Sequence, residues 1–385
     1  MLIILFAFSS PSLRLLEWAP SQKVLVNTAR FIYGTAFRIM VGELAPQSEN
    51  GEYLRPAPQS GTGQQFWPEH LPVVAGRYHI YLGNPCPWCH RVATALQLRG
   101  LGEAISVTRL VNDPTRASRG GWCIDADSPD PLIDAPDLKA VYDACSPDGY
   151  YVGRCTAPLL IDTQTRSIIS NESGDIVRIL NNFDGKSAAQ RTSTTMISGS
   201  VAVIDLYPSE LASHIDSTNL WVYEKINNGV YRAGFATRQI AYECAERDVH
   251  DGLSKCDQVL AQSRFLCGSS LSEADVWLFP TVARFDGIYA PFFRCGRKLI
   301  RSDYPHVNRW LKEMIEFAGP FDLDDARRGY YNVSHPPSCH TSLFYPSLVD
   351  SPKRKGSFPT QSFGVGPCWA INERFRLAKS GFGKY

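Results

Sequence analysis

The chain has 385 residues, 44% of them apolar and 20% charged, which is enough for two to three domains at about 150 residues each. With 39 Lys and Arg against 38 Asp and Glu, the net charge is only +1. This balance provides no field that would attract nucleic acid or an anionic membrane. No apolar run reaches the roughly 18 residues that a membrane span requires. We therefore expect neither nucleic acid nor membrane as a partner.

The eleven cysteines are spread over the whole chain. Small secreted proteins held by disulfides are shorter and denser in cysteine. The count therefore favours thiols that are kept reduced, one of which can be catalytic.

Residues 1–50 are predicted to form an N-terminal extension. Their apolar start is too short to span a bilayer and lacks the basic residues that precede the core of a signal peptide. Arg14, Arg30 and Arg38 follow with few acidic residues between them. This pattern favours an organelle transit peptide, with the plastid as the predicted location and the cytosol as the alternative. A misassigned start codon is a further interpretation of the same segment.

A first domain is predicted over residues 51–184. Apolar and polar residues alternate over 78–82, which predicts a strand. A helix is predicted to begin at the motif Cys86-Pro87-Trp88-Cys89-His90-Arg91, because proline suits the first helical position. Gly100 is predicted to end this helix. Residues 104–111 are predicted to form a second strand.

The rest of this domain completes a recognisable order of elements. Residues 112–153 are rich in Asp, Pro and Gly and are predicted to form a long inserted loop. Residues 157–161 and 167–170 predict a hairpin, and 172–180 a short helix. The order strand–helix–strand, then hairpin–helix, predicts a thioredoxin-like α/β domain.

A second, all-helical domain is predicted over residues 205–318, after a linker at 185–204 that is rich in Ser and Thr. Residues 319–385 are predicted to be an irregular tail. Four helix signals occur in chain order: a start at Pro208 with an end at Asn227-Asn228-Gly229, apolar periodicity from Ile240 to Leu260, a capping box at Ser272 and Asp275, and a helix after Pro305.

The pair Cys86-x-x-Cys89, followed by His90, is the sharpest chemical signal. Covalent haem attachment, a zinc site and a pair of inert buried thiols are alternative interpretations, but no second C-x-x-C supplies further zinc ligands. A thiol at the start of a helix meets unpaired N–H groups and the positive end of the helix dipole, which favour the thiolate. Cys86 is therefore the expected nucleophile, with Cys89 one turn inside and better shielded.

Two further segments are candidates for ligand binding. Pro158, before the predicted hairpin, is at the position of the cis-proline in a thioredoxin-like domain, where the backbone of Ala157 could pair with a peptide-like ligand. An ordinary loop proline is the alternative. Ser173 opens the following helix and could bind a carboxylate, while Glu172 could hold an ammonium group. A plain helix cap explains these two residues equally well.

The chain resembles the glutathionyl-hydroquinone reductases, the xi class of glutathione transferases. The resemblance runs in order from about Gly51 to His335. The matching words are Gly76-Arg77-Tyr78-His79, Cys86 to Arg91, Gly121-Trp122, Gly153 to Pro158, Asn171-Glu172-Ser173, Asn227 to Tyr231, Gly234 to Thr237, Arg284-Phe285-Asp286, and Tyr330-Tyr331-x-x-Ser334-His335.

The resemblance implies a thioredoxin-like domain followed by an all-helical domain, in a homodimer. It implies reduction of glutathionylated quinols with glutathione as co-substrate and no metal, with Cys86 as nucleophile and Tyr231 as proton donor and acceptor for the quinol oxygen. Tyrosines are implied to lower the pKa of Cys86: Tyr289 and one of Tyr330 or Tyr331. Glutathione is implied to bind Trp122, Arg154, Cys155, Thr156, Ala157, Glu172 and Ser173.

This sequence departs from the family pattern at two thiols. Many members have Ala at the position of Cys89, and Cys123 adds a thiol after Trp122. Two other functions therefore stay open. One is a glutaredoxin-like dithiol oxidoreductase that uses Cys86 and Cys89, and the other is a glutathione-binding module without turnover.

Overall fold

The computed structural model of the protein describes residues 45–57, 67–183, 204–319 and 321–334, together with isolated positions 24, 27, 28 and 31. For 331–334 it describes the backbone alone. The predicted transit peptide, nearly all of the linker 185–204 and the tail beyond residue 334 lie outside the described residues.

The first domain contains a five-stranded sheet with helices around it. Its elements are β1 (Tyr78–Gly83), α1 (Pro87–Leu98), β2 (Ile105–Asn112), β3 (Trp122–Ile124), α2 (Leu138–Ala144), β4 (Leu159–Asp162), β5 (Ser167–Ser170) and α3 (Ser173–Asn181). The spatial order is β3-β2-β1-β4-β5. Strand β1 pairs in parallel with β2, Tyr78 opposite Ile105, and antiparallel with β4, Tyr78 opposite Asp162. The predicted thioredoxin-like order of elements is confirmed.

The second domain is helical. Its elements are α4 (Ala212–Val222), a π-helical turn (Tyr223–Asn227), α5 (Gly229–Phe235), α6 (Gln239–Gln262), α7 (Glu273–Arg284), a second π-helical turn (Phe285–Tyr289), α8 (Ala290–Phe292), α9 (Ile300–Asp303), α10 (Pro305–Ala318) and α11 (Leu323–Ser334). The predicted capping box is present at the start of α7, where Ser272 and Asp275 bond to each other's backbone N–H. Among the described helices, none is both long and apolar enough to cross a membrane.

Helix α1 joins the two domains. It begins directly after Cys86, with Pro87 in its first turn, and buries most of its residues. It packs against α3 of the first domain and against α7 of the second. Buried apolar side chains run without a break from the sheet into the helices. The start of α1 is therefore held by both domains.

The prediction of a loop over 112–153 is wrong, because this segment contains β3 and α2. Strand β3 has three residues, too few for an alternating pattern to be visible. Helix α2 was recognisable from its cap, since the Asp137 carboxylate accepts a hydrogen bond from the Ala140 N–H at 2.9 Å, the arrangement expected of an N-cap aspartate.

The predicted bounds of the first helix of the second domain are also wrong. The helix starts at Ala212 rather than Pro208, and the chain stays helical through Asn227-Asn228-Gly229 by way of the π-helical turn. The Asn227 side chain is buried and donates to the Trp277 carbonyl at 3.0 Å and to Thr281 Oγ1 at 2.8 Å. Asn227 therefore connects this segment to α7 through hydrogen bonds, and it does not end the helix.

The prediction of an irregular tail from residue 319 is wrong up to Ser334, because α11 occupies 323–334. The Asp325 N–H donates to Asp322 Oδ1 at 2.9 Å, which caps the start of the helix. Gly329 packs so closely on the turn before α1 that an added Cβ would lie 2.3 Å from Pro85 Cγ. Tertiary contact, more than the polar sequence, accounts for this helix.

Candidate active site

The Cys86 side chain lies between the end of β1 and the first turn of α1. Its Sγ accepts a hydrogen bond from the Cys89 N–H at 3.4 Å and donates to the Ala157 carbonyl at 3.5 Å. Cys86 is half-buried, whereas Cys89 is fully buried. The structure thus places the expected nucleophile at the N-cap, where backbone N–H groups stabilise a thiolate.

The two thiols of this pair have opposite electrostatic environments. Burial opposes ionisation of Cys86, but hydrogen bonds from the Cys89 thiol and from the N–H groups of Cys89 and Trp88, with the charge of Arg284, lower its pKa to about 7. Burial, followed by the interaction with Cys86, raises the pKa of Cys89 well above its ordinary value. Cys86 is therefore the thiol that ionises first.

Arg284, from the end of α7, lies against the turn before Cys86 and is fully buried. Its guanidinium donates to the Asn84 carbonyl at 2.8 Å and approaches His90 Nδ1 at 2.8 Å. Burial, and then the Arg284 charge, lower the pKa of His90 well below its ordinary value. His90 is thus neutral and accepts through Nδ1. Arg284 forms no ion pair with any described residue, so its charge acts on Cys86 without a competing carboxylate.

The segment before β4 lies beside Cys86, whose Sγ contacts the Ala157 carbonyl. The Ala157–Pro158 peptide bond is cis. The Tyr142 hydroxyl donates to the Thr156 carbonyl at 2.8 Å and so fixes this segment to α2. Cys155 is buried, and burial raises its thiol pKa to about 11. Arg154 is exposed at the start of the segment. The buried Cys155 side chain leaves only its backbone as a candidate for pairing with a ligand, along with the backbone of the other residues of 154–157.

Trp122 begins β3 and lies against the end of β1. Its ring is so close to Gly83 that an added Cβ would be 2.2 Å from the nearest ring atom. The contact requires glycine at this position and holds the indole next to the turn that leads to Cys86. The structure thus brings Trp122 to the same edge of the sheet as Cys86.

Glu172 and Ser173 lie at the start of α3, where both the binding and the capping interpretation have support. The Glu172 carboxylate accepts a hydrogen bond from the Gly174 N–H at 3.1 Å and so caps the helix. The Ser173 hydroxyl is buried and accepts from Arg91 of α1 at 3.1 Å. Glu172 is only half-buried, so its second oxygen can still meet an ammonium group.

The predicted tyrosines form one hydrogen-bonded group. The Tyr330 hydroxyl is 2.7 Å from the Tyr231 hydroxyl and 3.1 Å from the Tyr289 hydroxyl. Burial is the main cause that raises the pKa of all three phenols, so each is a neutral hydrogen-bond donor. The Tyr231 ring stacks on Trp88 with centres 6.2 Å apart, which places this group next to the first turn of α1. The Tyr331 side chain lies outside the described residues.

Sequence reasoning missed a row of stacked cations and indoles above α1. Arg91 is buried, with its guanidinium 4.8 Å from the ring centre of Trp88 and 4.1 Å from that of Trp277. Arg55 stacks on the Trp88 ring at 4.2 Å. Arg91 stands inside the motif at Cys86 and could have been recognised as a basic residue on a helix face that must be buried. Arg55 carries no such local signal.

Comparison with known proteins places these features in a family. The profile described as "Glutathione S-transferase, N-terminal domain" matches residues 85–182, and that described as "Glutathione S-transferase, C-terminal domain" matches residues 230–313. The chain is 41% identical to the glutathionyl-hydroquinone reductase PcpF of Sphingobium chlorophenolicum over 268 residues, which are 68% of this chain and 79% of that protein. It is 37% identical over 274 residues to glutathione S-transferase omega-like 2 of Schizosaccharomyces pombe, covering 69% of this chain and 83% of that protein.

Solved structures agree with these relatives. The xi glutathione S-transferase of Phanerochaete chrysosporium matches with a TM-score of 0.63 and 33% identity, covering 74% of this chain and 89% of that one. The glutathione-bound structure of YqjG, a glutathione transferase homologue of Escherichia coli, matches with a TM-score of 0.58 and 35% identity, covering 67% and 80%. Among the residues described for this chain, no three His, Cys, Asp or Glu side chains are grouped as metal ligands would be.

Proposed function

Because the chain belongs to the xi class of the glutathione transferase family, to which the glutathionyl-hydroquinone reductases belong, we propose that it reduces glutathionyl-hydroquinones to free hydroquinones. The reaction proceeds through a Cys86–glutathione mixed disulfide and releases oxidised glutathione. One observation carries the proposal. The half-buried, acidified Cys86 thiol lies at a helix N-terminus, and a group of neutral phenols meets the first turn of that helix where Tyr231 stacks on Trp88.

In the first step the Cys86 thiolate attacks the sulfur of the glutathionyl-hydroquinone in its keto form. The Cys86–sulfur bond forms and the carbon–sulfur bond breaks, and its electron pair moves into the ring and onto the quinol oxygen. Tyr231 donates a proton to this oxygen. Burial raises the pKa of this phenol, so it carries its proton at neutral pH.

In the second step a further glutathione attacks the mixed disulfide. Its sulfur bonds to the sulfur of the bound glutathione, and Cys86 leaves as a thiolate. The acidified thiol is a good leaving group. The sum of both steps consumes one glutathionyl-hydroquinone and one glutathione, and yields one hydroquinone and one oxidised glutathione.

Glutathione binds across the start of α3 and the segment before β4. Glu172 holds the ammonium of its γ-glutamyl end, and the helix N-terminus at Ser173 holds the neighbouring carboxylate. The backbone of residues 154–157 pairs with the peptide, and the Trp122 ring covers one side. The half-buried position of Glu172 and the buried Cys155 thiol support this arrangement, in which Cys155 contributes backbone only.

A glutaredoxin-like dithiol oxidoreductase is the second candidate. The position of Cys89, whose N–H lies 3.4 Å from Cys86 Sγ, favours it. The raised pKa of the Cys89 thiol disfavours it, because the attacking group in disulfide exchange is the thiolate.

The deciding experiment is incubation with glutathionyl-menadione and glutathione, following release of the free quinol. We expect turnover by the wild type and its loss in Cys86→Ser, since a hydroxyl is a far poorer nucleophile at neutral pH. Absence of quinol release by the wild type, or more than about a tenth of its rate in Cys86→Ser, would contradict the proposal. We further propose that the protein acts as a homodimer, which its mass in solution would test.

A further inference from the structure

Residues 45–57 fold back onto the helical domain beside the active site. The Thr237 N–H donates to the Gly51 carbonyl at 3.0 Å, and the Tyr53 ring packs on Phe235 with centres 5.4 Å apart. Gly51 has a φ of 76°, a conformation that glycine adopts at no steric cost. These contacts fix the position of the next basic residue, Arg55.

The Arg55 guanidinium lies over the first turn of α1, between Trp88 and Tyr231. It stacks on Trp88 at 4.2 Å and is 5.6 Å from the ring centre of Tyr231. It is half-buried and forms no hydrogen bond or ion pair with any residue that the structure describes. The nearby cation Arg91, by contrast, binds Ser173 and Asn227. Arg55 is thus a cation in a fixed position, and its five N–H groups are available to an anion.

The second step of the proposed reaction brings an anion to this place. Glutathione has two carboxylates and one ammonium, and its attacking thiolate adds a further negative charge. The glutathione already joined to Cys86 occupies the start of α3. The incoming molecule must approach the disulfide from the side that the quinol has left, which Tyr231 lines, and Arg55 borders that side.

We propose that Arg55 forms a subsite for a carboxylate of the incoming, second glutathione. This inference rests on the proposed function, because it concerns the reduction of the Cys86–glutathione mixed disulfide. In that step a sulfur–sulfur bond forms between the two glutathiones and the bond to Cys86 breaks. The proton of the incoming thiol goes to solvent. Arg55 orients the attacking molecule and takes no part in the exchange of bonds.

The test isolates the second step. The mixed disulfide is first formed by exchange of the Cys86 thiolate with oxidised glutathione, which releases one glutathione. The adduct is then reduced with glutathione or with glutathione diethyl ester, which lacks both carboxylates. Intact-mass spectrometry follows the loss of the adduct. We expect Arg55→Gln to slow reduction by glutathione about tenfold, the loss of one charge-assisted hydrogen bond, and to leave the rate with the ester unchanged.

Two control variants complete the design. Arg55→Lys keeps the charge and should retain most of the rate with glutathione. Arg264→Gln removes a cation that also lies over a ring, Phe265 at 5.1 Å, but away from the site, and should change neither rate. An equal loss with glutathione and with the ester would overturn the subsite, since it would indicate a structural effect.

The first half-reaction separates the remaining outcomes. Slower release of quinol by Arg55→Gln in a single turnover, with an unchanged reduction step, would place Arg55 on the first glutathione or on the quinol and overturn the inference. Absence of any Cys86 adduct in the wild type would contradict the proposed function itself, and the inference with it. A normal adduct whose reduction by glutathione is equally fast in Arg55→Gln would overturn the subsite alone.

Discussion

At the scale of single residues, the acidity of Cys86 depends both on groups next to it in the sequence and on a group far from it in the sequence. The N–H groups of Trp88 and Cys89 come with the helix start, whereas Arg284 comes from the other domain. The local groups alone make a thiol somewhat more acidic, as any helix N-terminus does. The added cation has no carboxylate partner among the described residues, so the thiolate is the anion it stabilises.

Replacing Arg284 tests this electrostatic contribution. Cys86 has a pKa lowered to about 7, so its alkylation by iodoacetamide should reach half its maximal rate near that pH. Arg284→Gln should shift the midpoint upward, because the thiolate loses a cation. Arg284→Lys keeps the charge and should retain the low midpoint. Equal midpoints in wild type and Arg284→Gln would show that the helix start alone acidifies the thiol.

The role of Cys89 is a second question at this scale. Cys89 is buried and its thiol pKa is raised, so it supplies a hydrogen bond to Cys86 and not a competing thiolate. Cys89→Ser keeps a donor of similar size, and we expect it to retain most glutathione-dependent quinol release. Steady-state turnover at matched glutathione measures this. A loss as large as that of Cys86→Ser would favour the dithiol mechanism.

At the scale of elements, the start of α3 has two tasks that one substitution would confuse. The Glu172 carboxylate caps the helix through the Gly174 N–H and, in our proposal, binds an ammonium. Glu172→Ala removes both and should raise the apparent KM for glutathione at least about tenfold, with a lower melting temperature from the lost cap.

The control is Glu172→Gln, which keeps an oxygen for the cap and removes the charge. It should raise the KM to a similar extent while the melting temperature stays near that of the wild type. Thermal denaturation and glutathione saturation curves of both variants separate the two tasks. A wild-type KM in Glu172→Gln would show that Glu172 is a helix cap alone.

Helix α11 packs against the turn that leads to Cys86. Asn84 donates to Asp325 Oδ2 at 2.7 Å and to the Asp322 carbonyl at 3.0 Å, and Gly329 contacts Pro85. The helix also carries Tyr330, which bonds to Tyr231. A displacement of α11 would therefore move a phenol and the nucleophile's turn together.

Gly329→Ala tests this coupling. The new Cβ would lie 2.3 Å from Pro85 Cγ, so the helix or the turn must shift. Misplacement by about 1 Å can cost up to about a hundredfold in rate, and we expect kcat for quinol release to fall at least fivefold on that scale. Gly287→Ala is the matched control, because its Cβ would meet Leu323 at 3.5 Å, an ordinary contact. Equal kcat values in the two variants would contradict the coupling.

At the scale of the whole molecule, the active site that we propose combines both domains and the segment before them. The first domain supplies Cys86 and Glu172, the second supplies Tyr231 and Arg284, and residues 45–57 supply Arg55. Helix α1 packs on both domains. Neither domain by itself would hold both the acidified Cys86 thiol and Tyr231, which is the proton donor in our proposal.

The cellular location of the whole protein is predicted from its N-terminal segment. Segment 1–42 contains four basic residues, Arg14, Lys23, Arg30 and Arg38, and one acidic residue, Glu17. We predict that this segment directs the protein to an organelle, with the plastid as the first choice. A fluorescent reporter fused to Met1–Gly42 should colocalise with a plastid marker. Diffuse cytosolic fluorescence would favour the alternative location.

The sequence by itself determined the features that depend on neighbouring residues. The cysteine at the start of a helix, the capping box at Ser272 and the strand–helix–strand order were all recognisable, because strand alternation, caps and proline positions are local. The ordered series of motifs shared with the family extended the prediction to the helical domain and to a role for Tyr231. The position of Cys86 at the N-cap followed from the motif Cys86-Pro87 alone.

Only the tertiary structure decided where distant side chains meet. Polar α11 and three-residue β3 exist through contacts with the rest of the fold, and Asn227, which looks like a helix end, is buried against α7 instead. The pairing of Arg284 with the Cys86 turn and of Arg55 with Trp88 joins residues 200 and 33 positions apart, respectively. Burial and electrostatics act through space, so no local pattern could reveal which cations face the thiol.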